Sequence, residues 1–431
     1  MSVIVTERIG RSRSRRIGSD RNPGDGAADR DMQQAMASQT SRHRAPVSVA
    51  AQPLNAILRA WVVAWLVLAG VSGCTPAVER EAALALQDIA AGTGPSILKV
   101  QTPAPGRSTI RYQVDGRHYS GDLYLSPQAP LAGLVLVPGV VPDGKDDARL
   151  VALANTLARL RFAVLVPDMQ GLRRYRVRGS DVGEVADAFR YLLSRPELVP
   201  GGRAGIAGFS YGAGPVLLAG LQADIRERVR FILALGGYHD LHSMVRYFTT
   251  GYYRSDTADA WAYLAPHPYA AWVFALSNAE LLERPADRAR LQAYVRALAG
   301  PAEDRPAAPP TGLAADAQAL VTLLLNRDPE QVAQRLAALS PRIRDELQGI
   351  NPAAHDLTRL GAELILVHGR SDNIIPYTES IALAAAAPPG RTRLFLIDGF
   401  AHVDVRPTER DLPQLKRAMV ALLTQRASTP D

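Results

Sequence analysis

The stretch Ala204-Gly205-Ile206-Ala207-Gly208-Phe209-Ser210-Tyr211-Gly212-Ala213-Gly214 decides how this chain is read. Its first half is small and apolar, as a buried strand requires, and Gly208-Phe209-Ser210-Tyr211-Gly212 has the form of a nucleophile elbow. A serine hydroxyl is a weak nucleophile at neutral pH, so it must be exposed on a tight turn beside a base. Glycines at 208 and 212 permit the close packing of that turn. The motif alone is weak evidence, but Pro215-Val216-Leu217-Leu218-Ala219 supplies the helix that must follow it.

Two further segments complete a catalytic set. Leu364-Ile365-Leu366-Val367-His368-Gly369 is an apolar run of buried-strand type, and the turn after it carries Asp372. Leu394-Phe395-Leu396-Ile397 leads through Asp398 and Gly399 to His402. Asp372 is expected to be the acid and His402 the base, with Asp240 as the alternative acid. The order Ser, Asp, His differs from that of the two best-known serine protease folds.

With these residues, 107–426 resembles the α/β-hydrolases, in particular the dienelactone-hydrolase-like and esterase or acyl-peptidase branches. The resemblance implies Ser210 as nucleophile, Asp372 in His-Gly-x-x-Asp-x-x-x-Pro, and His402 in the loop after the last strand. It also implies an oxyanion hole after the third strand, where Val137-Pro138-Gly139-Val140 lies, with the backbone N–H groups of Val140 and Tyr211 as donors. Dienelactone hydrolases use a cysteine nucleophile, whereas the only cysteine here is Cys74, far from the elbow.

The surrounding pattern predicts an α/β fold, with a mostly parallel sheet, helices on both faces and a helical cap insertion. Thr109 to Val114 and His118 to Leu125 read as a hairpin turning at Asp115-Gly116. From Leu134 onward strands alternate with helices, as in a sheet covered on both faces. Some 120 residues separate the strand ending near Leu235 from that starting near Leu364, far more than a crossover of about a dozen needs. That excess reads as the cap. The expected organisation is a leader and signal over 1–73, a tether over 74–106, the core over 107–237 and 358–426, and the cap over 238–357. Residues 238–274 hold ten of the 26 aromatics, which either glue the cap to the core or line an apolar pocket over Ser210.

The net charge of +7 resides mostly in residues 1–73, which hold 10 basic and 5 acidic groups, so nucleic-acid binding is not expected. Arg59 precedes the apolar run Ala60 to Val71, and Ser72-Gly73-Cys74 follows. Twelve residues are too few to span a bilayer, which takes about 20, so the run reads as a signal h-region. Residues 1–58 exceed an ordinary n-region, and a start at Met32 or Met36 would still leave Arg42, Arg44 and Arg59 ahead of the run. Val71-Ser72-Gly73-Cys74 resembles the bacterial lipobox, which implies lipid on Cys74, a membrane partner and an outer-membrane place facing the periplasm.

Two partial motifs are set aside. Ser96-Ile97-Leu98-Lys99 and Ser371-Asp372-Asn373 match two parts of the β-lactamase set, but none of the three lysines begins Lys-Thr-Gly. His239 and His242 flank Asp240 without a wider ligand cluster, so no metal is expected. The expectation is a serine hydrolase acting on a small-molecule ester or related acyl bond without cofactor. A peptidase of the same fold and a non-enzymatic envelope binding protein with a vestigial triad are the alternatives.

Overall fold

The computed structural model describes residues 77–256, 260–402, 404–405 and 408–427. Its centre is an eight-stranded sheet of β1 (Gly106–Val114), β2 (Arg117–Leu125), β3 (Ala132–Val137), β4 (Phe162–Pro167), β5 (Ala204–Phe209), β6 (Phe231–Leu235), β9 (Glu363–Gly369) and β10 (Thr392–Ile397), laid side by side in the order β1-β2-β4-β3-β5-β6-β9-β10. The strands β1 and β2 pair antiparallel across the turn at Asp115 and Gly116, and β2 joins β4 antiparallel. From β4 to β10 every pairing is parallel.

The apolar runs are unbroken because these strands are covered twice. In β3, Leu134 and Leu136 face one hydrophobic cluster while Val135 and Val137 face the other, the period of two expected of a pleated strand. One cover is built from α1 (Ala77–Ala91), α2 (Ile97–Gln101), α3 (Ala148–Arg159) and, at the end of the chain, Leu412–Thr424. The other follows α4 (Gln170–Arg173) with α5 (Ser180–Leu193) and α6 (Ala213–Gly220).

Between β6 and β9 lies the insertion. It contains α7 (Leu241–Thr250), the hairpin of β7 (Tyr252–Arg254) with β8 (Trp261–Tyr263), α8 (Tyr269–Ala279), α9 (Pro285–Ala299), α10 (Ala315–Leu324), α11 (Val332–Ala337) and α12 (Pro341–Gly349). Its apolar faces are continuous with the second cluster: Val245, Phe248, Trp272, Phe274 and Leu320 pack in the same body as Val135 and Ile206. Phe248, Trp272 and Phe274 thus fasten the insertion to the core. The chain then forms α13 (Thr378–Ala386), a two-stranded ribbon of β11 (Phe400–Ala401) with β12 (Asp404–Val405), and α14 (Leu412–Thr424).

The expected tether is corrected over 77–102, because this stretch is docked. Ala82 and Ala85 are fully buried, Glu79 receives a hydrogen bond from Lys416 at 2.8 Å, and Glu81 pairs with Arg426. Asp88, also buried, accepts from Ser96 at 2.5 Å and Thr156 at 2.6 Å and pairs with Lys99 at 2.7 Å. Small alanines on one face of α1 let it approach α14 closely, and the charges at its rim find partners more than 300 residues away. Ser96 caps α2 by accepting the Lys99 N–H at 3.1 Å, a structural use of the Ser-x-x-Lys stretch. Cys74 and the leader lie outside the described residues, and among the described residues no helix is long and apolar enough to cross a membrane.

Candidate active site

Ser210 begins a single tight turn between β5 and α6, with φ at +52°. Left-handed backbone is costly for a residue with a side chain, so the surrounding packing must impose it. The flanking glycines show how. A Cβ on residue 208 would stand 2.5 Å from Gly212 O, and one on residue 212 would stand 2.6 Å from Pro138 O. The helix α6 that follows is buried along its whole length.

Asp372 leaves the end of β9 in a turn that its own carboxylate organises: Oδ1 accepts from Ile374 N at 2.8 Å and Ile375 N at 2.9 Å. His402 lies between β11 and β12, with φ at +50°. Its Nδ1 stands 2.7 Å from Asp372 Oδ2, and its Nε2 stands 2.9 Å from Ser210 Oγ. The structure therefore brings Ser210, His402 and Asp372 into one hydrogen-bonded line. Burial by itself would raise the Asp372 carboxyl. The His402 charge and hydrogen bonds from His368 and His402 outweigh it and hold Asp372 well below the usual carboxylate range.

Asp240 stands apart from this line. It caps α7, accepting from His242 N at 3.1 Å and Ser243 N at 3.3 Å, and it takes a further bond from Asn351. Among the described residues no group of three or more His, Cys, Asp or Glu side chains is arranged to hold a metal ion.

Gly139, in the loop after β3, packs on the elbow: a Cβ there would stand 3.6 Å from Ser210 Cβ. In the same loop Pro138 O is the atom that a Cβ on Gly212 would strike, and Val140 O accepts from the Tyr269 hydroxyl of the insertion. The Tyr211 ring stacks on Tyr238 at 6.3 Å between centroids, and its hydroxyl donates to Asp181 Oδ2 at 2.8 Å. Burial pushes the Asp181 carboxyl up to about 6.

Four supporting residues escaped the sequence reading. His368 is fully enclosed; its Nε2 donates to Ile375 O at 2.9 Å and lies 3.3 Å from Asp372 Oδ2, while Nδ1 accepts from Ser380 Oγ at 2.7 Å. Asp411 accepts from Asp398 N at 2.8 Å, Gly399 N at 3.1 Å and Thr408 N at 2.7 Å, so one carboxylate ties both ends of the loop that carries His402. Glu379 accepts from His239 N and Asp240 N, both at 2.9 Å, and holds the segment after β6. Asp181 is the fourth. The sequence does not assign these roles, because most of the partners are backbone groups or side chains on other elements.

Two surface grooves, of about 550 and 610 Å³, lie beside Arg393 and Lys416 and beside Leu325 and Arg335; neither is lined by Ser210, His402 or Asp372.

No protein-family model matches the chain, and no curated protein matches it. Solved structures do. A candidate hydrolase from Legionella pneumophila subsp. pneumophila is similar with a TM-score of 0.51 at 14% identity, over 77% of this chain and 93% of that one. A 2,6-dihydroxy-pseudo-oxynicotine hydrolase has a TM-score of 0.41 at 14% identity, over 75% and 69%. The esterase domain of a Rhodothermus marinus protein has a TM-score of 0.38 at 15% identity, over 74% and 98%. The strand order and the Legionella likeness agree on the architecture: the chain has the α/β-hydrolase fold.

Proposed function

We propose that the protein is a serine hydrolase that cleaves a carboxylic ester or related acyl bond of a small molecule. The observation that carries this is the unbroken line from Ser210 Oγ through His402 to Asp372, with Ser210 held at positive φ on its turn. Ser210 Oγ attacks the carbonyl carbon while its proton passes to His402 Nε2. Asp372 accepts from Nδ1–H, which selects the tautomer with a free Nε2 lone pair and stabilises the imidazolium that forms. The N–H groups of Val140 and Tyr211 receive the tetrahedral oxyanion. On collapse the leaving group departs with the proton from His402, and water, activated by the same imidazole, then releases the acid and restores Ser210. An ionised Asp372 suits this role.

The test is covalent labelling by a fluorophosphonate, with hydrolysis of p-nitrophenyl esters alongside. Labelling at Ser210 and its loss in Ser210→Ala, together with loss of turnover, are expected. Turnover in Ser210→Ala within tenfold of wild type would refute the assignment.

We propose further that Cys74 carries lipid and anchors the protein in the outer membrane, facing the periplasm. The reading rests on the lipobox-like Val71-Ser72-Gly73-Cys74 after a short apolar run. Helix α1 begins three residues later, and three residues span at most about 10 Å. An anchor at Cys74 would therefore hold the catalytic domain close to the bilayer surface.

A further inference from the structure

Tyr211, the residue directly after the nucleophile, is held at the far end of its side chain as well as through the backbone. Its hydroxyl donates to Asp181 Oδ2 at 2.8 Å, and the same oxygen accepts the Arg178 N–H at 3.0 Å. Burial pushes the Tyr211 hydroxyl well above its ordinary pKa, so it stays protonated and donates. Between hydroxyl and backbone the ring stacks on Tyr238, in one apolar cluster with Leu241 and Met244 of α7 and Ile374 and Ile375 of the turn that follows Asp372.

Asp181 has a fixed footing in its turn. It is buried in the first turn of α5, and the segment ahead of that helix is fastened to the insertion. The Arg178 guanidinium donates to Ser277 Oγ at 2.6 Å and to Ser277 O at 3.0 Å in α8, and the Gly179 N–H donates to Glu346 Oε2 at 2.9 Å in α12. The Tyr211 hydroxyl is therefore tied to a point that two helices of the insertion hold. What it restrains is a strained turn: Ser210 sits at φ +52°, and a left-handed residue with a side chain relaxes unless its surroundings prevent it.

We propose that Asp181 is a positioning residue for the oxyanion site: by holding the Tyr211 hydroxyl it fixes the Tyr211 backbone N–H where the oxyanion forms. This inference rests on the hydrolase reading above, in which that N–H is one of two donors. A donor aimed at the place where charge develops acts mainly on the transition state, so its displacement costs rate more than substrate binding. The role asks of Asp181 an acceptor oxygen and not a charge, and one oxygen already serves both donors.

The experiment measures kcat and KM on a p-nitrophenyl ester and the inhibition constant of an alkyl trifluoromethyl ketone. The ketone reads the oxyanion site directly: Ser210 Oγ bonds to its carbonyl carbon, the C=O π pair moves onto the oxygen, and the serine proton passes to His402. Asp181→Leu and Tyr211→Phe remove the same bond from its two ends. Each should lower kcat about tenfold, the scale of one net hydrogen bond, with KM within about threefold, and should weaken the ketone by the same factor as kcat. Asp181→Asn keeps the acceptor and should stay within about threefold of wild type in both. The double variant should be no slower than the slower single one, whereas independent effects would multiply to about a hundredfold. Melting temperatures are measured beside the rates, and where Asp181→Leu does not fold, Tyr211→Phe and Asp181→Asn decide. A wild-type kcat in Tyr211→Phe, a loss confined to KM, a loss in Asp181→Asn as large as in Tyr211→Phe, or multiplying effects in the double variant overturns the inference and leaves the hydrolase reading in place. A wild-type protein that neither turns over esters nor labels at Ser210 overturns the hydrolase reading and this inference with it.

Discussion

Ser210 Oγ and His402 Nε2 stand 2.9 Å apart although 192 residues of chain separate them. The parallel sheet makes that meeting possible: β5 and β10 end on the same edge, so the turn after one and the loop after the other are neighbours. His402 then lies between a donor hydroxyl and an ionised carboxylate, each on a different loop.

That arrangement assigns different consequences to two aspartates. Asp372→Asn should lower kcat on a p-nitrophenyl ester by about 10⁴, because an amide facing Nδ1 selects the wrong histidine tautomer. Asp240→Asn should leave kcat within a few fold, since asparagine caps a helix as well as aspartate does. The reverse ranking would move the acid to the segment after β6.

Asp411 acts through the loop it ties. Its carboxylate accepts three backbone N–H groups and the Thr408 hydroxyl, and hydrogen bonds to a charged group are worth roughly 1.5–3 kcal/mol each. Asp411→Ala should lower kcat ten- to a hundredfold with a smaller change in KM, as His402 loses its fixed place. An unchanged kcat would show that the ribbon of β11 with β12 holds the histidine without this clamp.

Asp181 makes stability depend on pH. Its folded-state pKa is pushed up to about 6 by burial, above the unfolded value of roughly 3.9. Between those values the native state binds a proton that the unfolded chain has released, so stability falls as pH rises through that window. Asp181→Asn removes the titration and keeps an acceptor for the Tyr211 hydroxyl. Its melting temperature relative to wild type should therefore climb from pH 4 to pH 7. A constant difference would mean that Asp181 ionises without penalty.

For the proposed anchor, Cys74→Ser should block lipid attachment and move the protein out of the membrane fraction or leave it as unprocessed precursor. Mass spectrometry of the protein from normal cells should find Cys74 as the modified first residue. An unmodified Cys74 within an uncleaved chain would refute the lipoprotein reading and leave the hydrolase proposal untouched.

The residues that were legible in the sequence are those whose signal is local. Apolar runs such as Leu134 to Val137 read as strands covered on both faces, and the elbow at Ser210 is written in five consecutive residues, because a tight strand-to-helix turn needs glycine at fixed places. The apolar runs before them and the resemblance in order pointed to Asp372 and His402, whose side chains stand 2.7 Å apart. Helix α1 was harder: its alanines mark an apolar face, but whether that face docks or hangs free depended on Lys416 and Arg426 at the far end of the chain.

The sequence by itself determined the fold class, the elbow and a candidate order of nucleophile, acid and base, since each depends on short-range pattern and on the strand that precedes it. Only the tertiary structure decided that Asp240 caps a helix while Asp372 meets His402, and that Asp411 and Glu379 clamp loops rather than line a surface. The reason is physical. A carboxylate or an imidazole acquires its role from the partners within about 3 Å of it, and those partners are set by how the sheet and its insertion pack, which no local stretch of the chain encodes.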